Sequence, residues 1–175
     1  MTGLNGQKAD RRSRDGAAMP LAPPTDDYVV LTGAGLKRAA WAAQVAQPEF
    51  GEFFLSRFLG LGVAYDDERQ TCTVELPYSS FLTNPQGSMH GGVIATAMDI
   101  SMGHFCHRYL STSVTVDLHV RFLSPLTSSA TCEARLLHAG ARSQHLESRA
   151  IDDEGEVVAL ATAAWRRVPG TSGRP

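Results

Sequence analysis

An α+β domain, one antiparallel sheet laid against one long buried helix, is what this sequence predicts, and three observations predict it. From Gly91 to about Tyr109 the residues form a helical pattern. Val93, Ile94, Ala97, Met98, Met102 and Phe105 recur at three- and four-residue steps, and little polar face remains. Four strand-like segments follow, Ser113–Leu123, Ser129–His138, Ser143–Asp152 and Val157–Arg167. Turn signals at Ser124-Pro125, Ala139-Gly140 and Asp152–Glu156 separate them. Two further strand candidates, Leu61–Tyr65 and Thr71–Leu76, precede the helix and are joined by the polar run Asp66–Arg69, a hairpin pattern. A helix that is apolar nearly all round has to be covered, and long antiparallel strands supply the covering layer.

The remaining elements are less patterned. Leu36–Val45 is rich in good helix formers, and Pro48 should end that segment. Phe50, Phe53, Phe54 and Phe58 follow at nearly helical spacing and read as core contacts under the sheet. Phe81–His90 reads as an ordered loop. Residues 1–25 are rich in Gly, Pro, Arg, Asp and Ala without periodicity and are expected to be a poorly ordered extension. The folded domain is expected over 26–168, with 169–175 as a tail, and no internal repeat is apparent.

Composition narrows the function. The chain has 175 residues, 43% hydrophobic and 19% charged, with a net charge of -2. That charge provides no broad field for nucleic acid or anionic lipid. Three widely spaced cysteines, Cys72, Cys106 and Cys132, argue against a disulfide framework and for a reducing, cytoplasmic setting. No apolar run reaches the length of a membrane span. His104, Cys106 and His107 lie close on the helix, but no carboxylate completes a set, and no metal is expected.

The chemistry concentrates in residues 84–99, N-P-Q-G-S-M-H-G-G-V-I-A-T-A-M-D. Gly91-Gly92 at a helix start is a tight turn in the plainest reading. It also leaves bare N–H groups where the helix dipole favours negative charge, as an oxyanion hole requires. Asp99 is the more informative residue, an acidic side chain among Ala97, Met98, Ile100 and Met102. A carboxylate there is costly unless it is paired or used. Gly91 and Asp99 are eight residues apart, roughly 12 Å along one helix. Both cannot reach one carbonyl from the same helix. Two such helices, antiparallel across a two-fold axis, can bring Gly91 of one chain beside Asp99 of another, so a dimer with interfacial sites is expected.

The motif N-x-x-G-x-x-H-G-G, with Asp nine residues after the His, resembles the hotdog-fold acyl-CoA thioesterases of the phenylacetate-pathway (PaaI-type) branch, in the superfamily that includes 4-hydroxybenzoyl-CoA thioesterases. Ser113–Pro125 (SVTVDLHVRFLSP) and the last two strands extend the likeness, which covers about 60–168. The resemblance implies an antiparallel sheet wrapped around a central helix, paired into a double hotdog homodimer and often a homotetramer. It implies hydrolysis of an acyl- or aryl-CoA to the free acid and CoA, with the CoA thioester as substrate and no cofactor or metal. By the same resemblance Asp99 is the general base or the nucleophile. The Gly91 N–H polarises the thioester carbonyl. Asn84 helps hold the thioester or the attacking water, His90 braces the loop, and Thr115 supplies a hydroxyl that orients water or carboxylate. Gly87 and Gly92 in the motif, with Arg142 and Ser143 on a late turn, are the implied contacts to substrate or CoA.

Strand alternation adds two expectations. Thr115, Asp117, His119 and Arg121 should share the face that carries the site, with Val116, Leu118, Val120 and Phe122 opposite. Ala95, Met98, Met102 and Phe105 are candidate walls of an acyl pocket. Two other readings stay open, a non-catalytic acyl-CoA-binding protein and a hotdog hydratase or dehydratase. The second fits less well because those enzymes order their His and acidic residue differently.

Overall fold

The structure, a computed structural model, describes residues 33–45 and 47–169. The predicted extension 1–25, residues 26–32 of the predicted domain and the predicted tail beyond Pro169 lie outside them. Helix α1 (Gly33–Ala42) and the short helix α2 (Phe54–Leu59) precede strands β1 (Gly62–Asp66) and β2 (Thr71–Leu76). Helix α3 (Gly91–Phe105) runs into a wider π-type turn at Cys106–Leu110. Strands β3 (Ser113–Phe122), β4 (Ala130–Ala139), β5 (Ser143–Asp152) and β6 (Val157–Arg167) complete the chain. All six strands form one antiparallel sheet in the order β1-β2-β4-β5-β6-β3, so β3 is an edge. Among the described residues no helix is long and apolar enough to cross a membrane.

The core lies between α3 and one face of the sheet. Met98 and Met102 are fully buried and Phe105 nearly so, against Val74, Leu76, Cys132 and Leu146. Burying each such side chain contributes about 1.5–3 kcal/mol. The facing positions of β6 are small, Ala159, Ala161 and Ala163, which lets the helix approach the sheet closely. No residue from Val93 to Cys106 is exposed, as the pattern of small and apolar residues predicts. Among the polar residues of this layer, Ser101 and Gln144 are partnered, whereas Nε2 of buried His104 has no hydrogen-bond partner among the described residues. The Ser101 hydroxyl lies 2.9 Å from that of Ser148 and donates to the Met98 carbonyl. Fully buried Gln144 accepts from Ser113 at 2.8 Å and from the Cys106 thiol at 3.6 Å.

Two expectations are corrected. The first helix begins and ends earlier than predicted, at Gly33 and Ala42 rather than at Leu36 and Val45. Of the phenylalanines read as core, Phe50 and Phe54 are nearly half exposed at 46% each, because the segment before β1 runs along the rim of the sheet and not beneath it.

Strand β3 carries the more consequential correction. Its register against β6 slips between Thr115 and Asp117, where Val116 bulges out. Thr115 faces Trp165, and after the bulge Leu118, Val120 and Phe122 face Ala163, Ala161 and Ala159, all buried positions of β6. Thr115 therefore shares the helix side with Leu118, Val120 and Phe122, and Asp117, His119 and Arg121 point away. One inserted residue reverses the alternation, since side chains change face every residue. The Asp117 carboxylate accepts the Ala164 N–H at 3.0 Å beside the bulge.

Gly103 marks a close contact between α3 and the sheet. A Cβ built on it would sit 3.0 Å from Cη2 of Trp165, a ring only 4% exposed. Gly103→Ala is expected to destabilise the protein by about 1–3 kcal/mol through overpacking, offset in part by the ~1 kcal/mol that alanine adds to a helix interior. Chemical denaturation reads the effect, and Trp165→Phe in the Gly103→Ala background should recover part of it. A midpoint unchanged by Gly103→Ala would show that the ring has room to withdraw.

Candidate active site

The predicted site residues fall into two groups, set by the two ends of one face of α3. The first group is the loop that enters the helix. Asn84 organises it: its side-chain oxygen accepts the N–H groups of Gln86 at 3.0 Å and Ser88 at 3.2 Å, and its amide donates to the Ser88 hydroxyl at 2.9 Å. Gly87 takes φ +86° and donates its N–H to the Asn84 carbonyl at 3.0 Å, a backbone geometry that favours glycine. His90 anchors the exit from the loop by donating its N–H to the Leu82 carbonyl at 2.9 Å. It is also the N-cap of α3. Its Nδ1 accepts the Gly92 N–H at 3.0 Å, so a neutral ring carries its proton on Nε2.

The helix N-terminus then has one donor left. The Gly92 N–H is held by His90 Nδ1, and those of Val93 and Ile94 by the His90 carbonyl. Among the described residues the Gly91 N–H has no such partner. It borders a cleft of about 390 Å³ that Asn84, Ser88, Phe122 and Leu126 also line. A free N–H at the positive end of a helix dipole suits a carbonyl oxygen on which negative charge develops.

The second group lies two turns along α3. The Thr115 hydroxyl donates to Oδ1 of Asp99 at 2.9 Å. Burial raises the Asp99 carboxyl above its ordinary range, and the Thr115 hydrogen bond partly offsets this by favouring the charged form. Asp99 lines a second cavity of about 390 Å³, distinct from the cleft at Gly91. Its walls are apolar and aromatic, including Phe50, Phe53, Leu55, Ile100 and Trp165. A carboxylate of raised pKa in such a cavity is suited to taking a proton.

Three of the candidate pocket walls named from the sequence do not line the cavity beside Asp99. Met98, Met102 and Phe105 are core residues under the sheet, and the cavity follows Thr96, Asp99, Ile100, Gly103 and His104 instead. Sequence reading also missed Phe50 and Trp165 as pocket walls. Neither carried a signal, because both belong to segments whose placement depends on the curl of the sheet. Arg142 and Ser143 lie on the β4–β5 turn, both exposed, and line neither cavity. His104, Cys106 and His107 do not converge on one point. His104 Nδ1 lies 2.6 Å from the Tyr65 hydroxyl, Cys106 meets Gln144, and His107 stacks on Phe50. Burial pushes each of the three free thiols up to about 12, so none is a ready nucleophile.

Comparison with known proteins gives consistent results. The profile of the thioesterase superfamily matches residues 86–159. A protein of Saccharolobus solfataricus whose given name proposes an esterase is 31% identical over 101 residues, 56% of this chain and 72% of the relative. A Bacillus halodurans protein solved with CoA superposes with TM-score 0.68 at 20% identity, over 86% of this chain and 99% of that one. The E. coli PaaI protein from the phenylacetic acid degradation operon superposes with TM-score 0.64 at 19% identity, over 81% and 99%. The central helix, the six-stranded antiparallel sheet and these matches together establish that the chain belongs to the thioesterase superfamily of hotdog-fold hydrolases.

Proposed function

We propose that this protein hydrolyses acyl-CoA thioesters, with Asp99 as the group that activates water and the Gly91 N–H as the donor to the thioester oxygen. The observation that carries the reading is Asp99 itself, a carboxylate held by Thr115 in an apolar-walled cavity on the central helix. The free Gly91 N–H supports it, as does a fold neighbour solved with CoA.

The two groups open into separate cavities, so a working site needs two chains. In this reading a second copy pairs across the exposed β3 edge, where Val114, Val116, Phe122 and Leu123 are each more than half exposed. Gly91 of one copy then stands beside Asp99 of the other. The thioester carbonyl accepts the Gly91 N–H, and water held by Asp99 attacks the carbonyl carbon as the carboxylate takes its proton. The tetrahedral oxyanion is stabilised at the helix N-terminus and collapses to expel the CoA thiolate. Asn84 and His90 shape the loop that presents Gly91. In the variant route Asp99 attacks first and forms a mixed anhydride that water then opens.

Release of free thiol from a panel of aryl- and aliphatic-CoA substrates tests this. Asp99→Asn should lower kcat by about a hundredfold or more, as expected for loss of a general base. It should not destabilise the fold. Because the Asp99 pKa is raised in the folded protein, its charge opposes folding as pH rises through that pKa, and the neutral amide removes this cost. A melting temperature at neutral pH equal to or above that of the wild type is therefore expected. Acyl-CoA bound by the wild type without any thiol release would favour a binding protein instead.

The pH profile gives a second check. The base works only when ionised, so kcat/KM should rise with pH through an apparent pKa above the ordinary carboxylate range. Thr115→Val removes the hydrogen bond that favours the charged form, which should move this limb to higher pH, while Thr115→Ser should leave it in place. A limb that does not move in Thr115→Val would remove Asp99 as its origin.

Gly91→Pro tests the donor. Proline is well tolerated at the first helical position, and His90 already has the extended conformation (ψ 131°) that a following proline requires. The added ring presses on Phe122, which is 52% exposed and has room to turn. Loss of the N–H should cost about 10²–10³ in kcat. If the site is shared between chains, refolding a mixture of Gly91→Pro and Asp99→Asn should restore roughly a quarter of wild-type activity, through heterodimers with one intact site. No restoration would place both groups of each site in one chain.

A further inference from the structure

The cavity beside Asp99 has a definite far end. It follows one face of α3, from Thr96 and Asp99 through Ile100 and Gly103 to His104. At His104 the ring of Phe50 lies across it. That ring meets the His104 imidazole edge-on, 5.5 Å between centroids at 83°, and stacks flat on His107 at 3.9 Å and 6°. His104 and His107 are one helical turn apart, so Phe50 bridges successive turns of the same helix.

Beyond Phe50 lies a second chamber of about 530 Å³, lined by Tyr65, Asp67, Gln70, His107, Arg108 and Tyr109, with Phe50 as its near wall. Phe50 borders both spaces, with α3 residues as far as His104 on one side and His107, Arg108 and Tyr109 of the following π-type turn on the other. The ring sits on a tight turn in which Glu49 and Glu52 exchange N–H···O bonds of 3.0 Å each. The wall is thus one aromatic side chain, 46% exposed, on a short surface turn and not a part of the core.

We infer that Phe50 is the residue that sets acyl-chain length, by closing the trough that runs along α3 from Asp99. The inference rests on the reading of Asp99 as the group at the thioester. Asp99 and His104 are five residues apart, roughly 7.5 Å along the helix. With C–C bonds of ~1.5 Å, an extended chain covers that distance in about six carbons. The wild type should take aryl and short-to-medium acyl groups and discriminate against longer ones. Truncating Phe50 joins the two chambers. Additional carbons then meet the rings of Tyr65 and Tyr109, whose centroids lie 6.4 Å apart, next to the Arg108–Asp67 ion pair, whose guanidinium lies over the Tyr65 ring at 5.5 Å.

The test is the chain-length profile of kcat/KM from acetyl- to palmitoyl-CoA for the wild type, Phe50→Ala and Phe50→Trp, read as the ratio of dodecanoyl to hexanoyl substrate. The ratio cancels any general loss of activity. In Phe50→Ala it should rise about tenfold or more, the scale of discrimination by pocket size. In Phe50→Trp it should fall. Calorimetric binding of non-hydrolysable thioether analogues of the same lengths runs beside it. If the wild type releases no thiol from any substrate, hydrolysis is refuted, and a break in affinity that moves with residue 50 still supports the wall. Ratios and affinities that keep the wild-type break in both variants overturn it.

Discussion

Burial of α3 is the constraint on which the rest of the structure depends. The helix is covered by the sheet along most of its length, and its core positions, Met98, Met102 and Phe105, are closed to solvent. A helix placed this way carries chemistry only at its exposed start and along the one stripe that the sheet does not reach. The N-terminus ends in the Gly91 N–H, which has no hydrogen-bond partner among the described residues, and the open stripe holds Asp99. The straightness of the helix then fixes the spacing between donor and carboxylate at more than one carbonyl can bridge. In the proposed reading this rigid spacing makes a second chain necessary.

Two local devices keep the stripe open. The bulge at Val116 turns Thr115 toward Asp99 and, beyond it, returns Leu118 and Val120 to the apolar layer. Without the extra residue a strand with Thr115 facing Asp99 would direct Asp117, His119 and Arg121 toward the helix. At the other end, Gln144 holds Ser113 and Cys106 together in the core, tying the start of β3 to the end of α3. A fully buried amide of this kind is tolerable because its polar atoms are partnered, and it fixes the relative position of the elements it joins.

The entry loop shows how a short motif acts through its backbone. Asn84, Gly87 and His90 contribute mainly by occupying donors and acceptors within the loop and the first helical turn. With the Met89 N–H held by the Leu126 carbonyl, these bonds occupy the neighbouring N–H groups, while that of Gly91 has no partner among the described residues. In the proposed reading the group that acts at this end of the site is an amide that any residue but proline would possess. The surrounding residues make that amide available.

The sequence by itself determined the α+β class, the order of the six strands along the chain, the long apolar helix and where on it Gly91 and Asp99 stand. These follow from periodicity, from turn residues and from the cost of a carboxylate in an apolar stretch, all of which are local properties. The spacing argument also followed, because the rise of a helix does not depend on its surroundings. Only the tertiary structure decided which face of β3 meets the helix, since a single bulged residue reverses alternation and β-branched runs do not announce where they bulge. Only the tertiary structure showed that the cavity lies along Ile100, Gly103 and His104 and away from Met98, Met102 and Phe105. Both stripes of α3 are apolar in sequence, and which one is covered depends on the curl of the sheet. Phe50 became a pocket wall for the same reason: an aromatic residue reads as core until the path of the chain places it at the rim.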